Sequence, residues 1–298
     1  MPRPLLDRTE IIELSSYTQE EKIHIAKEHL IPKQMKKHGI TSKEFRITDA
    51  GLNDLIRSYT REAGVRVLER TIASLCRKAL KHLAEHPEET KVTFKPANLE
   101  EFLGSRKYRD DALSKKDQVG VVTGLAYTAV GGEVMPVEVS VMAGTGKLQL
   151  TGSLGDVMKE SAAAAISYIR SNAKKLGIDG NFYKNRDIHI HVPEGAVPKD
   201  GPSAGITMTT ALVSELTGKK GNHTVAMTGE ITLRGRVLPI GGLKEKTMAA
   251  YKAGVKTVVL PAANLPDLEE IDPVVKQHIE FIPAEHIDTV LKTALVER

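Results

Sequence analysis

Ser203 stands in the loop 197–205, which reads Val-Pro-Lys-Asp-Gly-Pro-Ser-Ala-Gly. An apolar, helix-like run follows at 206–216. The serine therefore lies at the mouth of a helix, between Gly201 and Gly205, which leave room for a substrate. The first amides of a helix have no internal acceptor, so a hydroxyl placed there has an oxyanion site beside it. What it lacks is a base.

Two residues can serve. His191 lies in the run Asp187-Ile188-His189-Ile190-His191, where period two puts Asp187, His189 and His191 on one strand face. A triad can be drawn from Ser203, His191 and either Asp187 or Asp200. The same pattern also fits a strand whose polar face meets solvent. Lys246 follows Leu243 by three positions and precedes Ala249 and Ala250 by three and four, on the core-facing side of a helix that Gly241-Gly242 enters. Lys244 and Glu245 then point to water. An apolar setting disfavours the ammonium, which turns a lysine into a neutral base for a Ser–Lys dyad. Spacing alone fits a snorkelling lysine as well. Thr228 ends the apolar strand 225–227, where its hydroxyl either holds a lysine amine in line or is an ordinary turn residue. Asp200 either caps the helix that follows it or blocks Ser203 in a resting state.

The elements that carry these residues divide in two. Over residues 1–104 the periodicity is helical. Thr18 and Glu21 form a capping box, Pro32 perturbs the first helix and Gly39 stops it. A helix introduced by Thr48-Asp49 and a longer one with apolar residues from Val65 to Leu83 follow. A short strand at 92–94 and a helix over 96–102 complete a small all-α bundle with one strand. Residues 105–118 are polar and charged and read as a linker. Over 119–298 the pattern is α+β. A hairpin is expected over 121–142 with Gly131-Gly132 as its turn, and a second turn at 144–146 into a strand. A helix over 156–170, a strand at 187–192, the Ser203 helix, strands at 225–227 and 231–238, a helix over 243–253, strands at 255–260 and 279–282 and a closing helix complete the domain.

Bulk composition narrows the classes. The chain of 298 residues suggests two domains. No apolar run approaches the ~20 residues of a membrane span, and the first residues lack the apolar core of a signal peptide. The single Cys76 excludes an internal disulfide and fits a reducing, cytoplasmic setting. Residues 1–116 hold 23 basic and 18 acidic side chains, a balance of +5, against −1 for the remainder. That basic half suits a solvated surface, a weak DNA contact or an adaptor role. The absence of Trp argues against stacking on single strands.

Several segments together resemble the Lon protease family: 152–158, 189–196, 198–205, 227–235 and 241–246. The likeness covers essentially the whole chain. It implies Ser203 as nucleophile, Lys246 as base and Thr228 orienting the lysine, with Gly201, Pro202, Asp200 and His191 in supporting positions. It implies unfolded or damaged polypeptides as substrates, a ring of six subunits, and no cofactor for the proteolytic step. Residues 1–104 resemble the small lid of the family's ATPase, with Arg66 in its nucleotide-sensing segment. ATP and magnesium would serve the intact parent. The phosphate loop G-x-x-x-x-G-K-[ST] is missing here; the fragment 143–147 has Leu148 where the metal-binding hydroxyl belongs and reads as a hairpin turn. We therefore expect a fragment, lid plus protease. A small-molecule kinase would need a metal-binding carboxylate near the glycine loop, where only Asp200 is close. Penicillin-binding chemistry fails because Ile206 stands where S-x-x-K needs lysine.

Overall fold

The computed structural model describes residues 5, 8–9, 17–108, 116–128, 131–193 and 199–297. Within the linker, residues 109–115 lie outside these, as do residues 194–198 of the motif segments, residues 129–130 and most of the first sixteen residues. The chain forms two compact units, Met1–Asp110 and Asp111–Arg298.

In the first unit α1 (Gln19–Ile25) opens on Thr18, whose hydroxyl accepts the Glu21 amide while Glu21 accepts the Thr18 amide. A π-turn (Ala26–Leu30) separates it from α2 (Ile31–His38). Pro32 has no amide to offer the preceding turn, and the wider turn absorbs that loss. Gly39, at φ 69°, ends α2. α3 (Asp49–Tyr59) and α4 (Arg66–Glu85) follow. Among its described residues the unit has two short strands where one is expected: β1 (Phe45–Ile47) pairs in parallel with β2 (Val92–Phe94). Three residues give too little alternation to announce β1 in the sequence. The final helix α5 is Leu99–Leu103, starting later than Pro96. The Phe94 carbonyl accepts both the amide and the hydroxyl of Thr48, which itself caps α3 by accepting the Gly51 amide. The linker's first residues belong here, because Lys107 and Tyr108 donate their amides to Ser58.

The second unit is built on a seven-stranded mixed sheet. Its strands are β3 (Val121–Thr128), β4 (Gly131–Ala143), β5 (Leu148–Thr151), β6 (Arg186–His191), β7 (Val225–Met227), β10 (Thr257–Pro261) and β11 (Glu280–Ala284). Their order is β11-β10-β7-β3-β4-β6-β5. The run β11-β10-β7-β3 is parallel, β3-β4 and β4-β6 are antiparallel, and β6-β5 is parallel. A small side hairpin joins β8 (Glu230–Ile231) to β9 (Val237–Leu238).

Helices cover both faces. α6 (Asp156–Leu176), α7 (Gly205–Thr217) and α10 (Ile287–Ala294) bury Met158, Tyr168, Met208, Leu212 and Val290 against Val137, Ile190 and Met227. On the opposite face α8 (Leu243–Lys252) and α9 (Pro273–His278) pack Leu243, Ala250 and Val275 against Leu125, Ala226 and Val258. Neighbouring residues such as Ala226 and Met227 point to opposite layers, as strand alternation requires. Among the described residues no helix is long and apolar enough to cross a membrane.

In the second unit the structure departs from the sequence pattern at four places. Gly131 and Gly132 open β4, paired with Thr128 and Tyr127, instead of forming the turn. Residues 144–147 do not join a hairpin, because β6 lies between β4 and β5. The Asp187 carboxylate accepts the amides of Thr145 and Lys147 at 2.8 Å and folds that loop around the start of β6. Its amides are thus engaged by a side chain of the protein. The span 231–238 is a hairpin of two short strands, turned at Gly235 with φ 82°. Helix α6 also continues to Leu176, where Gly177 at φ 70° stops it.

Phe94 is fully buried and touches the rings of Phe45 and Phe102. Phe94→Ala should destabilise the first unit by about 3–5 kcal/mol. Faster hydrogen exchange across Asp49–Tyr59, with exchange in β3–β7 unchanged, is the measurement that checks it.

Candidate active site

β7 ends at Met227, and the next residue, Thr228, is fully buried. Its amide donates to Val259 of β10 at 3.1 Å. Gly229 then donates its amide to the Ser203 carbonyl at 2.8 Å and accepts the Ile206 amide at 3.1 Å. This pair of bonds fastens the turn Pro202–Ala204, and the start of α7, to the carboxyl end of β7. From the opposite face α8 brings Lys246, whose Nζ donates to Thr228 Oγ1 at 3.2 Å. Ser203 and Lys246 are thus carried by different layers and tied to adjacent residues, Gly229 and Thr228. Open α/β sheets form sites at the carboxyl ends of their strands in the same way.

The electrostatics follow from burial. Lys246 is 2% exposed. Removal from water disfavours its ammonium and pushes the pKa down to about 8 from an ordinary 10.5. At neutral pH an appreciable share of the amine is therefore uncharged. Ser203 is half-buried. Among the described residues its hydroxyl has no hydrogen bond, and Thr228 is the side-chain partner of the amine.

Glycines set the approach distances. Gly201 has φ 134°, a region that a side chain would strain, and this shapes the entry to Ser203. A Cβ on Gly132 would lie 1.9 Å from the Glu245 carbonyl oxygen, so α8 rests directly on the backbone of β4. The sequence pattern places Gly132 in a turn, whereas it lies in β4 opposite Tyr127. A glycine inside an apolar strand was the available signal, since it marks close backbone approach. Lys244 and Glu245 are half-buried, not fully turned to water as expected.

The remaining candidates fall elsewhere. Asp200 neither caps the helix after it nor meets Ser203. It accepts the Met158 amide at 3.2 Å and the Gly201 amide at 2.9 Å, capping α6. The Lys199 carbonyl and amide bond Gly155 and Ser153, so this loop is stitched to the start of α6. Pro202 is exposed on the turn. His191 Nδ1 lies 2.7 Å from Thr151 Oγ1, and His189 Nε2 lies 2.9 Å from the same oxygen. Asp187 serves the 144–147 loop. No Ser203–His191–Asp187 triad is assembled. In the first unit Arg66 is exposed at the start of α4, and its side chain makes no hydrogen bond or ion pair among the described residues. The Glu62 carboxylate there accepts the Val67 and Leu68 amides at 2.8 Å. Among the described residues no group of three His, Cys, Asp or Glu side chains forms a metal-ligating cluster.

Residues 93–297 match the Lon protease (S16) C-terminal proteolytic domain, and residues 36–92 match the Lon protease AAA+ ATPase lid domain. The Lon protease of Desulforamulus reducens is 56% identical over 299 residues, covering 100% of this chain and 37% of that protein. That of Clostridium acetobutylicum is 56% identical over 99% of this chain and 38% of its own length. Lon protease 1 of Bacillus subtilis is 56% identical with the same coverage. The chain spans less than two fifths of the length of these relatives. The match favours proteolysis over the DNA-binding or adaptor alternative. With a lid and an S16 proteolytic domain accounting for residues 36–297, this chain belongs to the Lon protease family.

Proposed function

We propose that this chain hydrolyses peptide bonds through a Ser203–Lys246 dyad and an acyl-enzyme. The observation that carries the reading is a buried, uncompensated lysine amine held on Thr228, beside the residue whose amide holds the Ser203 turn. Neutral Lys246 takes the Ser203 proton as Oγ attacks the scissile carbonyl. Backbone amides at the head of the Ser203 turn stabilise the oxyanion. Collapse breaks the C–N bond, and the Lys246 ammonium gives its proton to the leaving amine. Water, deprotonated by the regenerated Lys246 amine, then attacks the ester and frees Ser203. Thr228 aims the amine. The hydrogen bond between Ser203 and Lys246 would be completed on substrate binding, as catalytic contacts often are.

In the longer relatives' setting, the activity would be ATP-dependent endopeptidase action on unfolded or damaged proteins, in a cytoplasmic ring of six. The family likeness and the lone cysteine support this. These 298 residues contain no phosphate loop. Within them Arg66, in the lid-like unit, is the residue we assign to nucleotide sensing, and the dyad chemistry itself calls on no cofactor. The chain alone is expected to cut peptides and loose polypeptides, and not to unfold compact ones.

Ser203→Ala and Lys246→Ala should each abolish cleavage of a fluorogenic peptide, and the double variant should be no worse, because the two act as a unit. Thr228→Val should keep activity but lose about tenfold to a hundredfold in kcat through misdirection of the amine. Activity surviving in Lys246→Ala but lost in His191→Ala would reverse the assignment. A peptide boronate should label Ser203, located by mass spectrometry.

Lys246 also predicts a pH dependence of stability. Between about pH 8 and 10.5 the unfolded chain keeps the lysine proton and the folded chain releases it, so stability rises with pH across that window. Burying the ammonium at neutral pH costs about 3 kcal/mol by this shift. Lys246→Met should therefore be more stable than the parent at pH 7, and the gap should close by about that amount near pH 10.5. Urea unfolding at both pH values measures it.

A further inference from the structure

The Lys246–Thr228 contact joins residues eighteen positions apart and on separate elements. Thr228 is fixed by its amide bond to Val259 in β10. α8 begins without a side-chain cap, from Gly242 at φ 69°, so its own first turn does not anchor it. Its anchor lies one step earlier. Asn264 is 4% exposed and stands three residues past the end of β10, in the turn Ala262–Asn264. Its Oδ1 accepts the Ile240 amide at 3.0 Å and its Nδ2 donates to the Ile240 carbonyl at 2.8 Å. The second Nδ2 hydrogen goes to Asp267 Oδ2 at 2.6 Å. Ile240 needs an acceptor for its amide and a donor for its carbonyl, and Asp267 needs a donor. Only one orientation of the Asn264 amide satisfies all three.

We propose that Asn264 is a positioning residue for the Lys246 base, acting through the backbone of Ile240. Both halves of the Thr228–Lys246 contact are then referred to one strand. β10 holds Thr228 through Val259 and holds the entry to α8 through Asn264. Gly132 supports the helix from beneath, where its missing side chain lets the backbone at 245–246 settle on β4. An aspartate at position 264 would set oxygen against both the Ile240 carbonyl and Asp267. An alanine would leave the 239–242 loop free to drift and admit water to the amine. This inference rests on the reading of Lys246 as the base.

The test uses the 298-residue chain and its Asn264→Ala and Asp267→Ala variants. Asp267 is exposed, so its replacement loosens the clamp with little threat to folding. Lys246 is followed by NMR with lysine carrying 13C at Cε, its signal identified by Lys246→Arg, and kcat and KM for a fluorogenic peptide are measured against pH. In the parent, Lys246 should titrate well below ordinary lysines. In Asn264→Ala its titration should move up by about one pH unit or more, the acid limb of kcat should move with it, and kcat at neutral pH should fall about tenfold with KM nearly unchanged. Asp267→Ala should shift both in the same direction by less. A folded Asn264→Ala whose Lys246 titrates as in the parent overturns the proposal. If that variant does not fold, an unshifted Lys246 in Asp267→Ala overturns it instead. A parent Lys246 that titrates like an ordinary lysine sinks the base assignment itself, whatever the variants do.

Discussion

A primary amine without a counter-charge, enclosed between sheet and helix and resting on a hydroxyl, is the constraint around which the second unit is organised. A lysine in that position is costly as an ammonium and useful as an amine. The environment that lowers its pKa is therefore inseparable from the environment that aims it. Thr228 supplies a hydrogen-bond partner without supplying charge. A carboxylate in its place would hold the proton on the lysine and remove its basicity.

The fold meets this constraint by converging two layers on the end of one strand. α7 approaches one face of the sheet and α8 the other, and the two residues just past β7 receive them: Thr228 accepts from Lys246 of α8, and Gly229 bonds Ser203 and Ile206 at the head of α7. Backbone bonds do the fastening on the serine side, through Gly229. Close contact does it on the lysine side, through Gly132 beneath α8. Backbone-to-backbone packing leaves little freedom for drift, because it has no side-chain rotamers to adjust. The capping carboxylates of Asp187 and Asp200 work at the periphery, where they fix the loops on either side of β5 and α6.

Much of this was legible. The capping box at Thr18, the stop at Gly39 and the Thr48 cap are local signals, decided by neighbouring residues, and the structure carries all three. The helical period around Lys246 and the strand ending at Thr228 are local in the same sense. Pairings were less legible. β1 is too short to declare itself, and Gly131-Gly132 looks like a turn until a helix is laid on it. Residues 144–147 look like a hairpin until β6 is found between the strands they would join. Asp200 reads in the sequence as a cap for the helix after it, a block on Ser203 or a triad acid; its carboxylate instead accepts the Met158 amide of α6, 42 residues earlier, a partner that no local pattern shows.

The sequence by itself determined which groups were available: one hydroxyl at a helix mouth, one lysine on an apolar helix face, two histidines on a strand, and the motif likeness that ranked them. It could do so because side-chain chemistry and periodicity are properties of short segments. Which of these groups meet was decided only by the tertiary structure. His191 went to Thr151, a partner that nothing in its segment announces, and Lys246 to Thr228, where the sequence had left an ordinary turn residue as the alternative. Strand order and the layer each helix covers are long-range choices of core packing, and the distance between two functional atoms is a consequence of those choices.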